Sequence, residues 1–389
     1  MPKTIFYASV GSQLTAFDVD VAEGTLRRRG SIELPANIQY AWPHPSTRYL
    51  YVVSSNGGPG VIRGDTHLAS AFRIDLESGA LSLHGEPQTL RSRPIHCCVD
   101  ASGRYLLAAF NIPSAITVYC INPDGTLGGA VKQPSKLDCG IFAHQIRTTP
   151  SNRSAILVTR GNDASDRRPE DPGALKVFGF DNGVLANWAS IAPGNGLGFG
   201  PRHLDFHPRQ PWVFVAVERQ NQLQVYKLQT DDRLSPNPMF TNTTLADPGD
   251  VRPEQGAGAI HVHPTGRFVY VTNRNSGVVD FKGTKVSNGG ENNVAVFAIN
   301  QHTGEPNLIQ HSEAHAIHVR TFSIDPSGRL LIAASILPIA VRDASTIITL
   351  AAGLSLYRIS SEGVLEFLRK YDVDTKNSMQ FWSGMVALA

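Results

Sequence analysis

The stretch "GPRHLDFHP", residues 200–208, sets Arg202 and His203 side by side behind Pro201, at the start of an alternating run that reads as a β-strand. Sixteen residues beyond Arg202, "VAVERQ" ends a second apolar run on Glu218; "FAHQIRTTP" offers His144, and "VTNRN" offers Arg274. A guanidinium group recognises carboxylate or phosphate through paired hydrogen bonds. An imidazole takes up or gives a proton near neutral pH. A carboxylate held among cations stays ionised and can activate water. Together these types suit an anionic ligand beside a carboxylate that can activate water. No GxSxG elbow, P-loop, HExxH or dinucleotide glycine pattern occurs. "GNGLGFG" (194–200) resembles a phosphate loop only as a string, because no helix follows it; it reads as a flexible lead into the next strand.

The elements that must position these residues come from a repeat. A short apolar strand, a turn with Pro, Ser or Gly and usually a basic residue, then a second apolar strand recur in "WPHPSTRYLYVV", "CVDASGRYLLAAF", "RTTPSNRSAILVT", "DFHPRQPWVFVAV", "HVHPTGRFVYVT" and "SIDPSGRLLIAAS". The copies lie roughly 56 residues apart, near the period of a propeller blade. Segments such as "ITVYCINPDGTL" and "VAVFAINQHTGEP" supply two more strands per copy, so each unit reads as four antiparallel strands, A to D. "TIFYASVGSQLTAFDVDVAEGTL" lacks the leading strand of a seventh unit, and "MQFWSGMVAL" at the other end can supply it. The expectation is an all-β, seven-bladed propeller, one domain over 1–389, its ring closed by N- and C-terminal strands.

Strand direction then collects the chemistry. Starts of A strands and ends of B strands share one face, the top, where the pattern places His96, Asn111, His144, Arg160, Arg202, His203, Glu218, Asn273, Arg274, His318 and Arg320 around the mouth of the central channel. The long B–C connections, 161–172, 276–291 and 335–351, fall on the same face. Each arginine alone could simply tie neighbouring blades, and His144 could be a satisfied strand-end histidine. Collectively they leave positive charge in excess and imply an anionic ligand. Glu218 is the single carboxylate of the predicted ring, too few oxygen ligands for a hard divalent cation, so neither metal nor cofactor is expected. Asp163, Asp166, Glu170 and Asp171, with Arg167 and Arg168, read as a solvated, lid-forming segment. His44, His207 and His263 fall on the opposite face, as turn residues.

Composition bounds the rest. The 389 residues are 41% hydrophobic and 17% charged, with a formal net charge of +2 and no basic run longer than Arg27–Arg29, which disfavours nucleic acid or an anionic membrane as partner. Neither a signal-like apolar core nor a stretch long enough to span a bilayer stands out, giving a cytoplasmic expectation. Cys97, Cys98, Cys120 and Cys139 have no metal or disulfide spacing and read as buried thiols. Oligomeric state is left open.

"GPRHLDFHP…VFVAVERQNQLQVY", "IHVHPTGRFVYVTNR" and "RTFSIDPSGRLLIAAS" resemble, across nearly the whole chain, the seven-bladed propeller lactonases, a family that includes propeller-type 6-phosphogluconolactonases and carboxy-cis,cis-muconate cyclases. The resemblance implies His144, Arg202, Glu218 and Arg274 as the catalytic set. Arg160, His203, Arg320, His96 and His318 are the expected substrate-binding residues. The chain departs from many relatives at Val217, Ala259 and Val319–Thr321. The expected activity is hydrolysis of a small carboxylated or phosphorylated lactone, with Glu218 as general base and His144, or His203 second, protonating the leaving alkoxide or positioning the water. A muconate-type cycloisomerase could use the same residues. A propeller that binds a protein partner is the third reading, and it requires exposed aromatic anchors such as Phe110, Phe199 or Trp382.

Overall fold

The computed structural model describes residues 3–59, 62–166 and 168–388; Arg167 of the 161–172 loop lies outside them. Seven antiparallel sheets form a ring. Each has four strands, with one extra short strand on the second blade. Counted from the closing blade, the innermost A strands are Gln380–Ala387, Ile38–Pro43, Pro94–Val99, Ala143–Thr148, Pro201–Phe206, Gln255–Val262 and Val319–Ile324. In the closing blade, Gln380–Ala387 pairs antiparallel with Thr4–Val10, Ile5 opposite Val386 and Tyr7 opposite Gly384. The ends of the chain therefore seal each other's edge, as the repeat pattern requires.

Period-two alternation fixes which side of each strand packs. B strands such as Trp212–Val217 and Leu330–Ser335 are buried on both faces, because each sheet is covered by its two neighbours. Successive apolar layers, for example Phe214, Ala216 and Val225 against Val269, Val271 and Phe297, fill the gaps between blades. Cys97 and Cys98 are buried thiols, whereas Cys120 and Cys139 are only half-buried.

On the bottom face the "HP" turns latch blade to blade. Nε2 of His44, His207 and His263 reaches the carbonyl oxygens of Gly103, Gly266 and Gly328, each in the next blade, at 3.0, 2.9 and 2.8 Å. Those glycines have φ of 73°, 75° and 74°, and a Cβ on any of them would collide with the imidazole. The expectation of turn histidines on the far face holds, with this latch as their work.

Two of the expected long loops carry strands of their own. The 276–291 connection holds the hairpin Val278–Phe281/Thr284–Ser287, and 335–351 holds Ile339–Asp343/Thr346–Leu350. Arg342 of the second hairpin lies 4.7 Å from the Phe281 ring centre of the first, and Lys282 donates across to the Ser345 carbonyl at 3.1 Å.

Candidate active site

At the top of the A strands the pairing with strand B slips. The break falls at Gln39, between Ile38 and Tyr40, at His144, between Ala143 and Gln145, at Arg202, between Pro201 and His203, and at Arg320, between Val319 and Thr321. A bulge re-aims the side chain it carries. It is the extra residue of each slip, Gln39, His144, Arg202 or Arg320, that is polar, while flanking Ile38, Ala143, Pro201 and Val319 are buried. The B strands deliver the others: Glu218 directly follows Trp212–Val217, Arg160 follows Ser154–Thr159, and Arg274 lies within Phe268–Asn275.

Glu218 is the hub. Arg160 Nε donates to its Oε2 at 2.5 Å, Arg274 Nη2 donates to its Oε1, and Arg202 Nε lies 3.6 Å from Oε1. Burial alone would raise the Glu218 carboxyl, but Arg274, Arg202 and Arg160 overcome it and bring it down to about 2. Arg202 is only 1% exposed; burial, then the charge of Arg274, presses its guanidinium downward. The Nε groups of Arg202 and Arg274 are buried without a hydrogen-bond acceptor. Arg320 lies 3.5 Å from the Phe381 ring centre and donates through Nε to the Phe381 carbonyl at 3.2 Å. Four guanidinium groups, those of Arg160, Arg202, Arg274 and Arg320, thus face Glu218 and one further acid. That acid is Asp163, 2.9 Å from Arg160 Nη2 and 2.7 Å from Arg219 Nε. The centre keeps a surplus of positive charge.

Beside the arginines stands a column of rings. His144 and His203 are 5.0 Å apart between centres, His203 and His96 6.2 Å, and His96 and Tyr40 3.9 Å. Burial first, and then the arginines, hold His96, His144, His203 and His318 well below the usual imidazole value, so all four are neutral at pH 7. His318 Nε2 accepts from Arg274 Nη1 at 2.5 Å, which fixes its proton on Nδ1. His144 Nδ1 is buried and unpartnered.

The structure brings together Arg160, Arg202, Glu218, Arg274, His318 and Arg320 at the channel mouth, with His144 and His203 beside them. His96 lies deeper, fully buried against Tyr40. Two ring expectations fail. Asn273 turns away to the Thr244 carbonyl and Asn293, 2.8 Å from its Oδ1. Asn111 lines a separate side cavity. In the 161–172 segment residues 163–166, 168 and 169 are exposed, as a solvated segment requires, while Asp163 and Glu170 both pair with Arg219 and anchor it. "GNGLGFG" starts in a 3-10 turn, Pro193–Gly196, and the Gly200 carbonyl accepts the Glu218 N–H at 3.0 Å. Phe110, Phe199 and Trp382 are buried and offer no anchor to a partner.

Gln39, Tyr40, Phe381 and Asp163 were missed. Tyr40 and Phe381 lie within apolar strands, where nothing in the sequence sets them apart from core aromatics. Asp163 carried a signal, an acid three residues after Arg160. Among the described residues, no group of three or more His, Cys, Asp or Glu side chains is arranged to hold a metal ion.

A family model described as "Lactonase, 7-bladed beta-propeller" matches residues 5–336. The chain is 25% identical over 344 residues to a 6-phosphogluconolactonase of Bacillus subtilis strain 168, covering 85% of this chain and 86% of that one. It is 27% identical over 334 residues to a 6-phosphogluconolactonase of Pectobacterium carotovorum, covering 86% and 88%. Among solved structures it superposes on a periplasmic gluconolactonase of Pseudomonas aeruginosa over all of both chains, with TM-score 0.75 and 20% identity. A structure described as a putative 6-phosphogluconolactonase of Bacteroides uniformis gives TM-score 0.73 at 20% identity over 99% of each chain. At such identities the structural likeness speaks for the fold alone.

Proposed function

The chain belongs to the seven-bladed β-propeller lactonase family, and from that premise we propose that it hydrolyses a small sugar lactone, an anionic one of the 6-phosphogluconolactone type in preference to neutral gluconolactone. The observation that carries this reading is the surplus of positive charge at the channel mouth, with the buried Arg274 Nε making no hydrogen bond and the buried Arg202 Nε no nearer to an acceptor than 3.6 Å from Glu218 Oε1. A buried donor without an acceptor costs about 1–3 kcal/mol. An oxygen that gains negative charge during reaction recovers that cost at the moment it counts.

The steps follow from the groups in hand. The lactone carbonyl oxygen lies toward Arg202 and Arg274, and the substrate's anionic group toward Arg320 and Arg160. Water adds to the carbonyl carbon while His144 Nδ1 takes its proton, and the oxyanion is held by the two arginines. Collapse of the adduct breaks the ring C–O bond, and His144 returns the proton to the departing alkoxide. The new carboxylic acid then ionises, so one proton is released per turnover. Sequence reasoning gave Glu218 the base role. Its oxygens are already engaged by Arg160 and Arg274 and its carboxyl is acidic, so it serves better as the anion that holds the arginines in place.

The test is product identification by proton NMR after incubation with gluconolactone, its 6-phosphate and carboxylated muconolactones. Accelerated appearance of the open-chain hydroxy acid is expected from a sugar lactone. Conversion of a muconolactone to its muconate would assign the cycloisomerase instead, and no turnover of any lactone would overturn the reading.

A further inference from the structure

A cavity of about 480 Å³ lies on the top face between blades two and three, away from Glu218. Its walls include His67, Arg91, Ser92, Arg93 and Asn111, of which Asn111 is the residue the ring did not take up. Every one of these presents a donor. Arg93 is 8% exposed; its Nε donates to Gln39 Oε1 at 2.8 Å. Its terminal nitrogens have no hydrogen bond or ion pair among the described residues. Ser92 Oγ is buried without a partner. His67 Nδ1 is 2.8 Å from Ser55 Oγ, which itself accepts the Gly57 N–H at 2.9 Å. With the Ser55 hydroxyl donating to Nδ1, His67 Nε2 carries its proton and becomes a donor. Asn111 and exposed Arg91 make no side-chain hydrogen bond or ion pair among the described residues. No carboxylate lines the cavity among them, and the acid nearest in sequence to His67, Asp65, is occupied by Asn56 at 2.6 Å.

Three guanidinium groups, those of Arg91, Arg93 and the exposed Arg63, with an imidazole N–H, a hydroxyl and an amide around one space form the donor set of a tetrahedral oxyanion. We propose that this cavity binds a phosphate-class oxyanion, at a second site separate from the ring that takes the lactone. The two sites communicate through Arg93. Its guanidinium lies 5.7 Å from the Phe381 ring centre, and that of Arg320 lies 3.5 Å from the same centre; its Nε holds Gln39, one of the bulged residues. An anion that neutralises Arg93 eases the repulsion on Arg320, to which Arg93 contributes. The proposal is therefore an effector site for free phosphate or a phosphate monoester.

The test is calorimetric titration of the full chain with inorganic phosphate at constant ionic strength, for wild type, Arg91→Glu and Arg202→Gln. Arg91 is on the surface, so its variant should melt as wild type does. Binding that is weakened at least about tenfold by Arg91→Glu and retained in Arg202→Gln is expected. No saturable binding, or binding lost in Arg202→Gln and untouched by Arg91→Glu, would overturn the proposal. A second arm measures hydrolysis of unphosphorylated gluconolactone with added phosphate. A change in kcat at unchanged KM, absent in Arg91→Glu, is expected; simple competition with the lactone would mean that phosphate occupies the central ring, as a substrate's own phosphate would, and would also overturn it. The calorimetric arm needs no turnover, so failure of the lactonase reading leaves it intact.

Discussion

Glu218 sits where cations are densest, and that position decides what it can do. A carboxyl that burial would raise but three arginines bring down to about 2 stays ionised across the working range, yet accepts a proton from water poorly. His144 is the alternative acceptor. Its imidazole must be neutral to act, and burial with four surrounding arginines keeps it neutral to below the ordinary value of about 6.5. As pH falls through that lowered value the imidazole takes a proton and the rate drops. The kcat/KM profile of the wild type should therefore show an acid limb below pH ~6.5, and His144→Asn should lose the limb and about 10²-fold in kcat. Activity kept in His144→Asn and abolished in Glu218→Gln would return the base role to Glu218. Most of these residues were legible because each ends an apolar run on a polar side chain. Tyr40, Phe381 and Gln39 were not, since an aromatic in a strand reads as core and a bulge leaves no mark on period-two alternation.

The elements explain why a repeat built for packing carries a site at one end. Four A strands start on a register slip at a polar residue, and there the slip aims into the channel a side chain that regular pleating would have sent between blades. The opposite end of the same strands is regular and is used for latching. His207 accepts the N–H groups of Arg209 and Gln210 at Nδ1, 3.1 and 2.9 Å, and donates to Gly266 from Nε2. Replacing it by alanine leaves a buried carbonyl and two N–H groups short of partners, so His207→Ala should cost roughly 1–3 kcal/mol in urea unfolding. Its kcat/KM should match wild type because the latch lies at the far end of the strand. Lost turnover with unchanged stability would put the histidine on the wrong face. Turn chemistry made these latches readable in part: "HP" and "SGR" mark turns, but only the ring geometry brings one blade's histidine to the next blade's glycine. The two hairpins in the B–C connections escaped notice, since short exposed strands carry no buried face to impose alternation.

Across the whole molecule, a formal charge of +2 hides a strong asymmetry. Acids spread over the outside balance a centre in which Arg160, Arg202 and Arg274 share Glu218 and Asp163, and Arg320 pairs with neither. Ring closure makes this durable, because the strand that seals the propeller, Gln380–Ala387, also brings Phe381 under Arg320. The number of blades and their closure were readable from repeat spacing and the unpaired terminal strands. The charge surplus was readable in kind, while the side cavity beside Arg93 was not, since it depends on how two neighbouring blades meet. The central claim is that the crowded arginines act on the oxyanion of a lactone adduct. The measurement that tests it most directly is proton release from gluconolactone and its 6-phosphate in weak buffer, wild type beside Arg202→Gln. The account predicts rapid acidification by the wild type and a loss in kcat on the order of 10²–10³-fold in a variant that still folds. Equal rates for the two proteins would contradict it.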